Sequence, residues 1–465
     1  MGTRSTNARE IDRFFTPESI AIVGASRNPQ KLGYVLLDNL QRARYRGRLY
    51  PVNPKAERML GLPCYPAVAA LEETPDLAII TVPTRIVAQV LEECGKRGVR
   101  AAVIITAGFR ETGPDGAEAE QALLTIAQRY GMRLVGPNSV GVINTGIGMN
   151  ATFAETAPVQ YEVGMLSQSG AVASAILDWA RSIGLGFSKF VSLGNMADLT
   201  DVDFLEYFGD DPETKIIVGY LESITDGRRL MQVARRISPS KPVIVIKVGG
   251  TEAGAHAAAS HTGALATRDA VVDAAFRQAG IIRAHTMAEL FDYTLCFAYA
   301  RLPAGRNVAV VTNAGGPAVM ASDAIERMGL GLARLSPESE RAIRERLPPA
   351  AATGNPIDVL GDGDAARYQA VLEVLRDDPS VDAIIAMLTP QRVTEPERTA
   401  RVISYIAREQ DKPLIAVFMG GEAVGRARAL LDGARVPVYA YPERAVRALA
   451  ALVRYSTYRR ELPDS

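Results

Sequence analysis

The sequence has little cysteine and little histidine. Its three cysteines, Cys64, Cys94 and Cys296, are widely spaced and odd in number. This pattern argues against both a disulfide framework and a zinc cluster, so we expect reduced thiols and predict no metal site.

The chain also lacks a net charge and a long hydrophobic run. Lys plus Arg and Asp plus Glu number 52 each, so no strong field favours nucleic acid or an anionic membrane as a partner. No run approaches the roughly 20 apolar residues of a membrane span. Because the N-terminus has no apolar signal core, we expect a cytoplasmic protein.

The chain is long enough for about three domains. It has 465 residues, of which 48% are apolar. Predicted strands and helices alternate along it, which indicates α/β domains with mostly parallel, helix-flanked sheets of Rossmann-like or flavodoxin-like type. An irregular stretch from Asn144 and a linker-like LPAGRN segment at 302–307 suggest domains at 1–143, 144–300 and 301–465.

The first domain begins with a strand, a small-residue turn and a helix. The turn contains Gly24 and Ser26, the predicted helix starts at Lys31, and the next strand is followed by Asn53 and Lys55. A helix start of this kind favours phosphate. A dehydrogenase is the competing interpretation, but the turn lacks the close GxGxxG glycines, and Asn53 and Lys55 replace the usual ribose-binding acid. The lysines instead suit a ligand with several phosphates.

Later strand ends in this domain carry small or turn-forming residues. Pro83, Gly108 and Asn138 each follow a predicted strand. In an open α/β sheet these ends line one crevice, although Asn138 and the proline before it also fit ordinary turn chemistry.

Two further strand–turn–helix units lie downstream. The turn Ser167, Gln168, Ser169, Gly170 offers hydroxyls and amides at a helix start, where the serines could equally be plain helix caps. Glu222 follows another strand and is either a site carboxylate or a solvated strand-end charge. The third unit has Asn313, Gly315 and Gly316 in its turn.

A small-residue stretch, KVGGTEAGAHAAASHTGAL at 247–265, holds two of the three histidines. Glycine and alanine allow close approach and movement, and imidazole is nucleophilic near neutral pH. We therefore predict His261 as a phosphoryl-accepting residue. The alternative is that His256 and His261 are loop residues without chemistry.

The motifs SQSG, SHTGA, VTNAGGP and GNPID occur in this order over nearly the whole chain. Together they resemble the alpha subunit of the ADP-forming acyl-CoA synthetases (acetate–CoA ligases) of the succinyl-CoA synthetase superfamily. The resemblance implies a coenzyme A-binding first domain, a second domain carrying the phosphohistidine, and a third ligase-type domain.

The resemblance also implies roles for individual residues. His261 would be the phosphohistidine, and Glu222 would orient its imidazole. Phosphate would be bound by Ser167, Gln168, Ser169, Gly170, Asn313, Gly315 and Gly316. Coenzyme A would be contacted by Gly24, Ser26, Lys31, Asn53, Lys55, Pro83, Gly108 and Asn138.

The implied reaction converts acyl-CoA, phosphate and ADP into a small acid, coenzyme A and ATP, through an acyl phosphate and phosphohistidine. The sequence shows neither a Walker motif nor an ATP-grasp-like region. We therefore expect ADP or ATP with Mg²⁺ to bind mainly on an ATP-grasp beta subunit in a hetero-oligomer. The alternatives are a non-catalytic coenzyme A-binding sensor or scaffold and, with less support, an NAD-dependent enzyme.

Overall fold

A computed structural model describes residues 6–155, 160–254, 256 and 268–462. The chain divides into two compact units, Met1–His285 and Thr286–Ser465.

The strands of the described residues are numbered here in chain order. They are β1 (Ser19–Val23), β2 (Arg48–Val52), β3 (Arg58–Met59), β4 (Leu62–Pro63), β5 (Leu77–Ile80), β6 (Ala101–Ile104), β7 (Arg133–Val135), β8 (Gly141–Asn144), β9 (Met149–Thr152), β10 (Gln160–Ser167), β11 (Phe187–Ser192), β12 (Ile216–Leu221), β13 (Val243–Lys247), β14 (Ile281–Ala284), β15 (Asn307–Thr312), β16 (Gly331–Leu332), β17 (Ile357–Asp358), β18 (Ala383–Leu388), β19 (Leu414–Phe418) and β20 (Val438–Tyr439).

The helices flank these strands. In the first unit they are Thr6–Phe15, Leu32–Arg42, Thr84–Arg97, Pro114–Tyr130, Gly170–Ser182, Asp201–Asp210, Gly227–Ile237 and Asp269–Gln278. In the second unit they are Met287–Tyr299, Gly315–Arg327, Pro337–Arg346, Ala365–Asp377, Pro396–Arg408, Glu422–Gly433 and Pro442–Glu461.

The first unit contains two main sheets. Five parallel strands follow the order β2-β1-β5-β6-β7. Seven strands follow the order β14-β13-β12-β10-β11-β8-β9, in which only β8 runs antiparallel to both of its neighbours, β11 and β9. Central strands such as β1 and β5 are buried along their whole length, which explains their unbroken apolar sequences.

One core cluster contains side chains from around both sheets. Phe14 and Phe15 of the N-terminal helix belong to it, together with Phe204 and Phe208. Phe15 also stacks on Tyr207, with the ring centroids 5.1 Å apart. The two sheets of the first unit therefore share apolar packing.

The second unit is built on one six-stranded parallel sheet. Its main path is β16-β15-β18-β19-β20, and β17 also pairs with β15. The last helix contacts the helix Met287–Tyr299 through Arg444, whose guanidinium forms two hydrogen bonds with the Asp292 carboxylate.

The predicted α/β class with mostly parallel, helix-flanked sheets is confirmed. The boundaries at 143/144 and 300/301 remain a prediction. The strand β8 crosses the first of them, and the helix Met287–Tyr299 belongs to the second compact unit. Among the described residues, no helix combines the length and apolar character needed to cross a membrane.

Candidate active site

The predicted coenzyme A residues of the first turn lie at the carboxyl ends of β1 and β2. Gly24 has a φ of +98°, and a β-carbon there would stand 2.6 Å from the Thr81 hydroxyl oxygen, so the turn requires glycine. Ser26 Oγ accepts a hydrogen bond from the Asn28 amide at 3.1 Å. This turn leads into the helix Leu32–Arg42.

Asn53 acts on the same turn from the neighbouring strand end. Its Nδ2 donates to the Ala25 carbonyl at 2.7 Å, and its Oδ1 accepts from the Lys55 amide at 2.8 Å. The side chain therefore fixes two backbone segments, a role different from that of a ribose-binding acid. Lys31 and Lys55 are both exposed beside this turn, where their ammonium groups can meet a charged ligand.

The remaining predicted coenzyme A residues follow β5, β6 and β7. Pro83 immediately precedes the helix Thr84–Arg97. The Gly108 amide donates to Glu111 Oε1 at 2.5 Å. Asn138 is exposed, adopts a φ of +60° and donates from its backbone amide to the Thr106 carbonyl. The structure thus places all eight predicted residues along one edge of the sheet, as parallel strand order requires.

The turn after β10 is rigidly built. Ser167 is fully buried; its Oγ donates to the Ser169 carbonyl at 2.8 Å and accepts from the Ser169 amide at 3.2 Å. Ser169 Oγ caps the helix Gly170–Ser182 by accepting from the Val172 amide at 3.4 Å. The capping interpretation of Ser169 is therefore correct, and the first amides of the helix still point toward a potential anion.

Gln168 joins this turn to Glu222. Its Oε1 accepts from the backbone amides of Glu222 at 2.8 Å and Ser223 at 2.9 Å, and its Nε2 donates to the Ser223 carbonyl at 3.0 Å. The structure therefore brings the half-buried Glu222 to the edge that carries the helix start.

Lys247 lies beside Glu222 because Leu221 and Lys247 are register partners in β12 and β13. Burial lowers the pKa of Lys247, and the nearby Arg283 cation lowers it further, whereas Asp269 and Glu222 oppose the shift. Its ammonium group donates to the Val248 carbonyl at 2.5 Å. This edge therefore carries a half-buried cation and a carboxylate in electrostatic contact.

The histidine stretch follows β13. His261, the predicted phosphohistidine, lies outside the described residues. The sequence predicts an irregular loop from Gly249 onward, but residues 252–254 are helical, as is the exposed His256. The prediction of a wholly irregular segment is therefore wrong for these residues.

The second unit contains a turn of the same construction. Thr312 Oγ1 donates to the Ala314 carbonyl and accepts from the Ala314 amide, both at 3.1 Å. Asn313 is buried and pairs with the backbone of Thr389. Gly315 and Gly316 open the next helix, are exposed, and a β-carbon on either would meet no atom within 4 Å. The start of this helix is therefore exposed and uncrowded.

The sequence did not reveal one residue of the first unit, which connects the turn after β11 to the Gly108 loop and to Asn138. Asn195, in the turn after β11, is buried and hydrogen-bonds to Glu111, Glu120 and Asn138. The only sequence signal is the short LGN turn after a strand, which does not reveal these distant partners.

Three family models match consecutive parts of the chain. They are described as a CoA binding domain (residues 18–145), a succinyl-CoA ligase-like flavodoxin domain (160–297) and a ligase-CoA domain (308–463).

Along nearly its whole length, the chain is similar to proteins named as ADP-forming acetate–CoA ligases. It is 44% identical to acetate–CoA ligase [ADP-forming] I of Archaeoglobus fulgidus, with 96% of this chain and 64% of that protein aligned. It is 42% identical to the alpha subunit of acetate–CoA ligase [ADP-forming] II of Pyrococcus furiosus, covering 96% of this chain and 97% of the relative. The chain thus spans less than two thirds of the first relative and almost all of the second.

A solved structure has the same fold. Ca. Korarchaeum cryptofilum dinucleotide-forming acetyl-coenzyme A synthetase 1, in complex with phosphate and ADP, superimposes with a TM-score of 0.92 at 39% identity, covering 97% of each chain. The motif-based resemblance is thereby confirmed. The chain belongs to the alpha-subunit family of ADP-forming acyl-CoA synthetases, acid–thiol ligases of the succinyl-CoA synthetase type.

Proposed function

We propose that this chain is the alpha subunit of an ADP-forming acyl-CoA synthetase that forms an acyl phosphate and carries its phosphoryl group on His261. The observation that carries the proposal is the Gln168 bridge, which ties a helix start to the strand end bearing Glu222. A helix N-terminus is equivalent to roughly half a positive charge and binds phosphate without a lysine salt bridge. Phosphate bound in this way can leave again, which a phosphoryl group that is passed between sites must do.

The reaction has three steps. A phosphate oxygen attacks the thioester carbonyl carbon, the C–S bond breaks, and coenzyme A leaves as a thiolate that takes up a proton. An imidazole nitrogen of His261 then attacks phosphorus, and the P–O bond to the acyl group breaks to release the carboxylate. Finally, a β-phosphate oxygen of ADP attacks phosphorus, and the P–N bond breaks.

The residues of this chain have separate roles in the proposal. The sheet edge at Gly24, Asn53, Gly108 and Asn138 binds coenzyme A, with Lys31 and Lys55 facing its phosphates. The backbone amide of Gly170, at the start of its helix, binds phosphate. Glu222 accepts the imidazole N–H of His261, so the other nitrogen is free to attack. The turn at Gly315 and Gly316 supplies a further phosphate-binding position.

A partner completes the proposed enzyme. The alignment with a Pyrococcus alpha subunit over nearly its whole length, and with only part of a longer Archaeoglobus ligase, supports a partner component. We propose an ATP-grasp beta subunit that binds ADP or ATP with Mg²⁺. The acyl-CoA half-reaction uses only sites assigned to this chain.

The test is incorporation of radiolabelled phosphate in the presence of a panel of acyl-CoA thioesters. We expect an acid-labile, base-stable label that is lost in His261→Ala and retained in His256→Ala, the matched control in the same segment. Absence of label from the wild-type chain, with and without a beta subunit, would instead support the non-catalytic coenzyme A sensor.

A further inference from the structure

The turn after β11 runs from the proposed phosphate-binding turn to the proposed coenzyme A edge. The Leu193 amide donates to the Ser167 carbonyl at 2.8 Å. Two residues later, the Asn195 amide donates to the Pro137 carbonyl, also at 2.8 Å. This short segment therefore links the two binding regions through main-chain hydrogen bonds within one compact unit.

The Asn195 side chain adds three hydrogen bonds at the coenzyme A edge. Its Nδ2 donates to Glu111 Oε2 at 2.6 Å and to Glu120 Oε2 at 2.8 Å, and its Oδ1 accepts from Asn138 Nδ2 at 3.4 Å. Only 8% of the residue is exposed. Both amide protons are thus used between two carboxylates, which would otherwise repel each other.

The two carboxylates hold the loop that contains Gly108. Glu111 Oε1 accepts from the amides of Gly108 at 2.5 Å and Phe109 at 3.2 Å. Burial raises the pKa of Glu111, but the hydrogen bonds from Asn195, Gly108 and Phe109 outweigh it and give a net decrease. The Glu111 carboxylate is thus stabilised in its charged form by the loop it holds.

The backbone of Asn195 is fixed from the same loop. The Arg110 guanidinium donates to the Asn195 carbonyl oxygen and lies 3.7 Å from Glu120 Oε1 as an ion pair. The Arg110 amide donates to Glu120 Oε2 at 3.3 Å. Asn195 is therefore held from both its backbone and its side chain, and every one of these contacts leads to the Gly108 loop or to Asn138.

We propose that Asn195 is a positioning residue for coenzyme A, one that sets the Gly108 loop and Asn138 relative to the phosphate-binding turn. This inference rests on the proposed function, because it takes Gly108 and Asn138 as coenzyme A contacts. Loss of the amide leaves Glu111 and Glu120 without their common donor, so the loop shifts and the ligand edge loses its shape. An unsatisfied buried acceptor is costly, which gives the amide a strong effect on loop position.

The test is a coenzyme A titration of the full chain by calorimetry. We expect Asn195→Ala to weaken coenzyme A binding about tenfold and Asn195→Gln, which keeps the amide, to recover part of the loss. Asn39→Ala is the matched control. Asn39 is 6% exposed and donates to the Thr152 and Ala154 carbonyls, and none of these three residues is a predicted coenzyme A contact. We expect this variant to lower the melting temperature without changing coenzyme A affinity.

A steady-state measurement with the beta subunit gives an independent readout. Asn195→Ala should raise the KM for coenzyme A, while phosphohistidine formation from ATP, which does not require coenzyme A, proceeds at the wild-type rate. Should Asn195→Ala not fold, Glu111→Gln removes one charge from the same network and should weaken coenzyme A binding about threefold.

The outcomes separate this inference from the proposed function. Wild-type affinity in a folded Asn195→Ala or Glu111→Gln variant would overturn it, as would an equal loss of affinity in Asn39→Ala. If the wild-type chain binds no coenzyme A, the proposed function itself fails and the inference fails with it. Binding that weakens only in the Asn195 and Glu111 variants supports it.

Discussion

Gln168 and Asn313 make equivalent hydrogen bonds in two different units of the chain. Gln168 Oε1 accepts from the Ser223 amide at 2.9 Å, and its Nε2 donates to the Ser223 carbonyl at 3.0 Å. Asn313 forms the same pair of bonds with Thr389, both at 2.8 Å. Each side-chain amide is committed to a neighbouring strand end. The phosphate-binding role predicted for these turns therefore rests on backbone amides, with the two side chains holding the turns in place.

Gln168→Glu should separate this holding role from binding. One carboxylate oxygen can still accept from the Glu222 and Ser223 amides, but the other then faces the Ser223 carbonyl with no proton between them. A buried acceptor without a donor costs about 1–3 kcal/mol. We expect a lower melting temperature and at least a tenfold slower labelling of His261 by acyl-CoA and phosphate, measured in a single-turnover assay.

The control for that variant is Gln121→Glu on the helix Pro114–Tyr130, where the side chain is exposed. It makes the same chemical change on a surface that is remote in sequence from both turns. Labelling of Gln168→Glu at the wild-type rate would show that the position of Glu222 does not depend on its hydrogen bond to Gln168.

Lys31→Ala and Lys55→Ala should each weaken coenzyme A binding. Both lysines are exposed beside the Gly24 turn, so each charge–phosphate contact is partly screened and contributes about 1 kcal/mol. This corresponds to roughly a fivefold loss of affinity per substitution, and the loss should shrink as salt is raised. The measurement is a coenzyme A titration at low and high ionic strength.

Two controls make this result specific. Lys96→Ala, on the helix Thr84–Arg97, removes an exposed lysine that pairs with Glu92 of the same helix and should leave coenzyme A affinity unchanged. Pantetheine lacks the phosphates, so its binding should not respond to either substitution. Equal weakening for pantetheine would place the two lysines in a structural role.

The central strands were predictable because their signal is local. The apolar runs in β1, β5, β12 and β18 need no partner to be recognised. The β8–β9 hairpin was not recognised. Its strands contain the buried polar residues Asn144, Asn150 and Thr152. Asn144 donates to the distant Phe15 carbonyl and the Thr152 carbonyl accepts from the distant Asn39, whereas Asn150 accepts from the nearby Thr152 hydroxyl.

The same distinction applies to the site. The turns at Gly24, Ser167 and Gly315 follow strands and precede helices, so sequence order is enough to place them. Asn195 has no such local signature. It bonds to Glu111, 84 residues away, and Glu120, 75 residues away. Only the fold brings this amide between two carboxylates that lie on two other elements.

Gly249→Ala should disturb the start of the histidine segment. Gly249 has a φ of +77°, a conformation that costs alanine about 1–2 kcal/mol, whereas asparagine tolerates it better. If the segment must move to carry the phosphoryl group, both Gly249→Ala and Gly249→Asn should slow transfer to ADP more than formation of acyl phosphate. The two rates are measured separately with the beta subunit present.

Gly250→Ala is a less suitable probe of movement. A β-carbon there would stand 2.3 Å from Asp269 Oδ1, which is paired with Arg283 at 2.5 Å. A slow rate would therefore report a packing clash as well. An effect of Gly249→Ala that is absent in Gly249→Asn would indicate backbone strain and count against a movement requirement.

Asp201→Asn should stabilise the chain at alkaline pH. Asp201 is 1% exposed and lies among apolar side chains that include Leu205, Leu230 and Phe276. Burial raises the pKa of Asp201 to about 6, and the amides of Asp201 and Val202 only partly oppose the shift. The ordinary value is 3.8, so the folded state favours the protonated acid. The free energy of unfolding is therefore highest, as far as Asp201 determines it, below about pH 4. It declines as the pH rises through 6 and stays reduced above that pH.

The size of this effect follows from the shift, at 1.36 kcal/mol for each pKa unit, and amounts to about 2–3 kcal/mol. Urea unfolding at pH 4.5 and pH 8 measures it, because asparagine cannot ionise. We expect the gain from Asp201→Asn to be larger at pH 8 by about 2 kcal/mol, because part of the loss has already occurred at pH 4.5. Asp115→Asn, at an exposed position in the first turn of its helix, is the control. A gain of equal size at both pH values would mean that Asp201 has the same pKa in the folded and unfolded states, and the buried charge would then not limit stability.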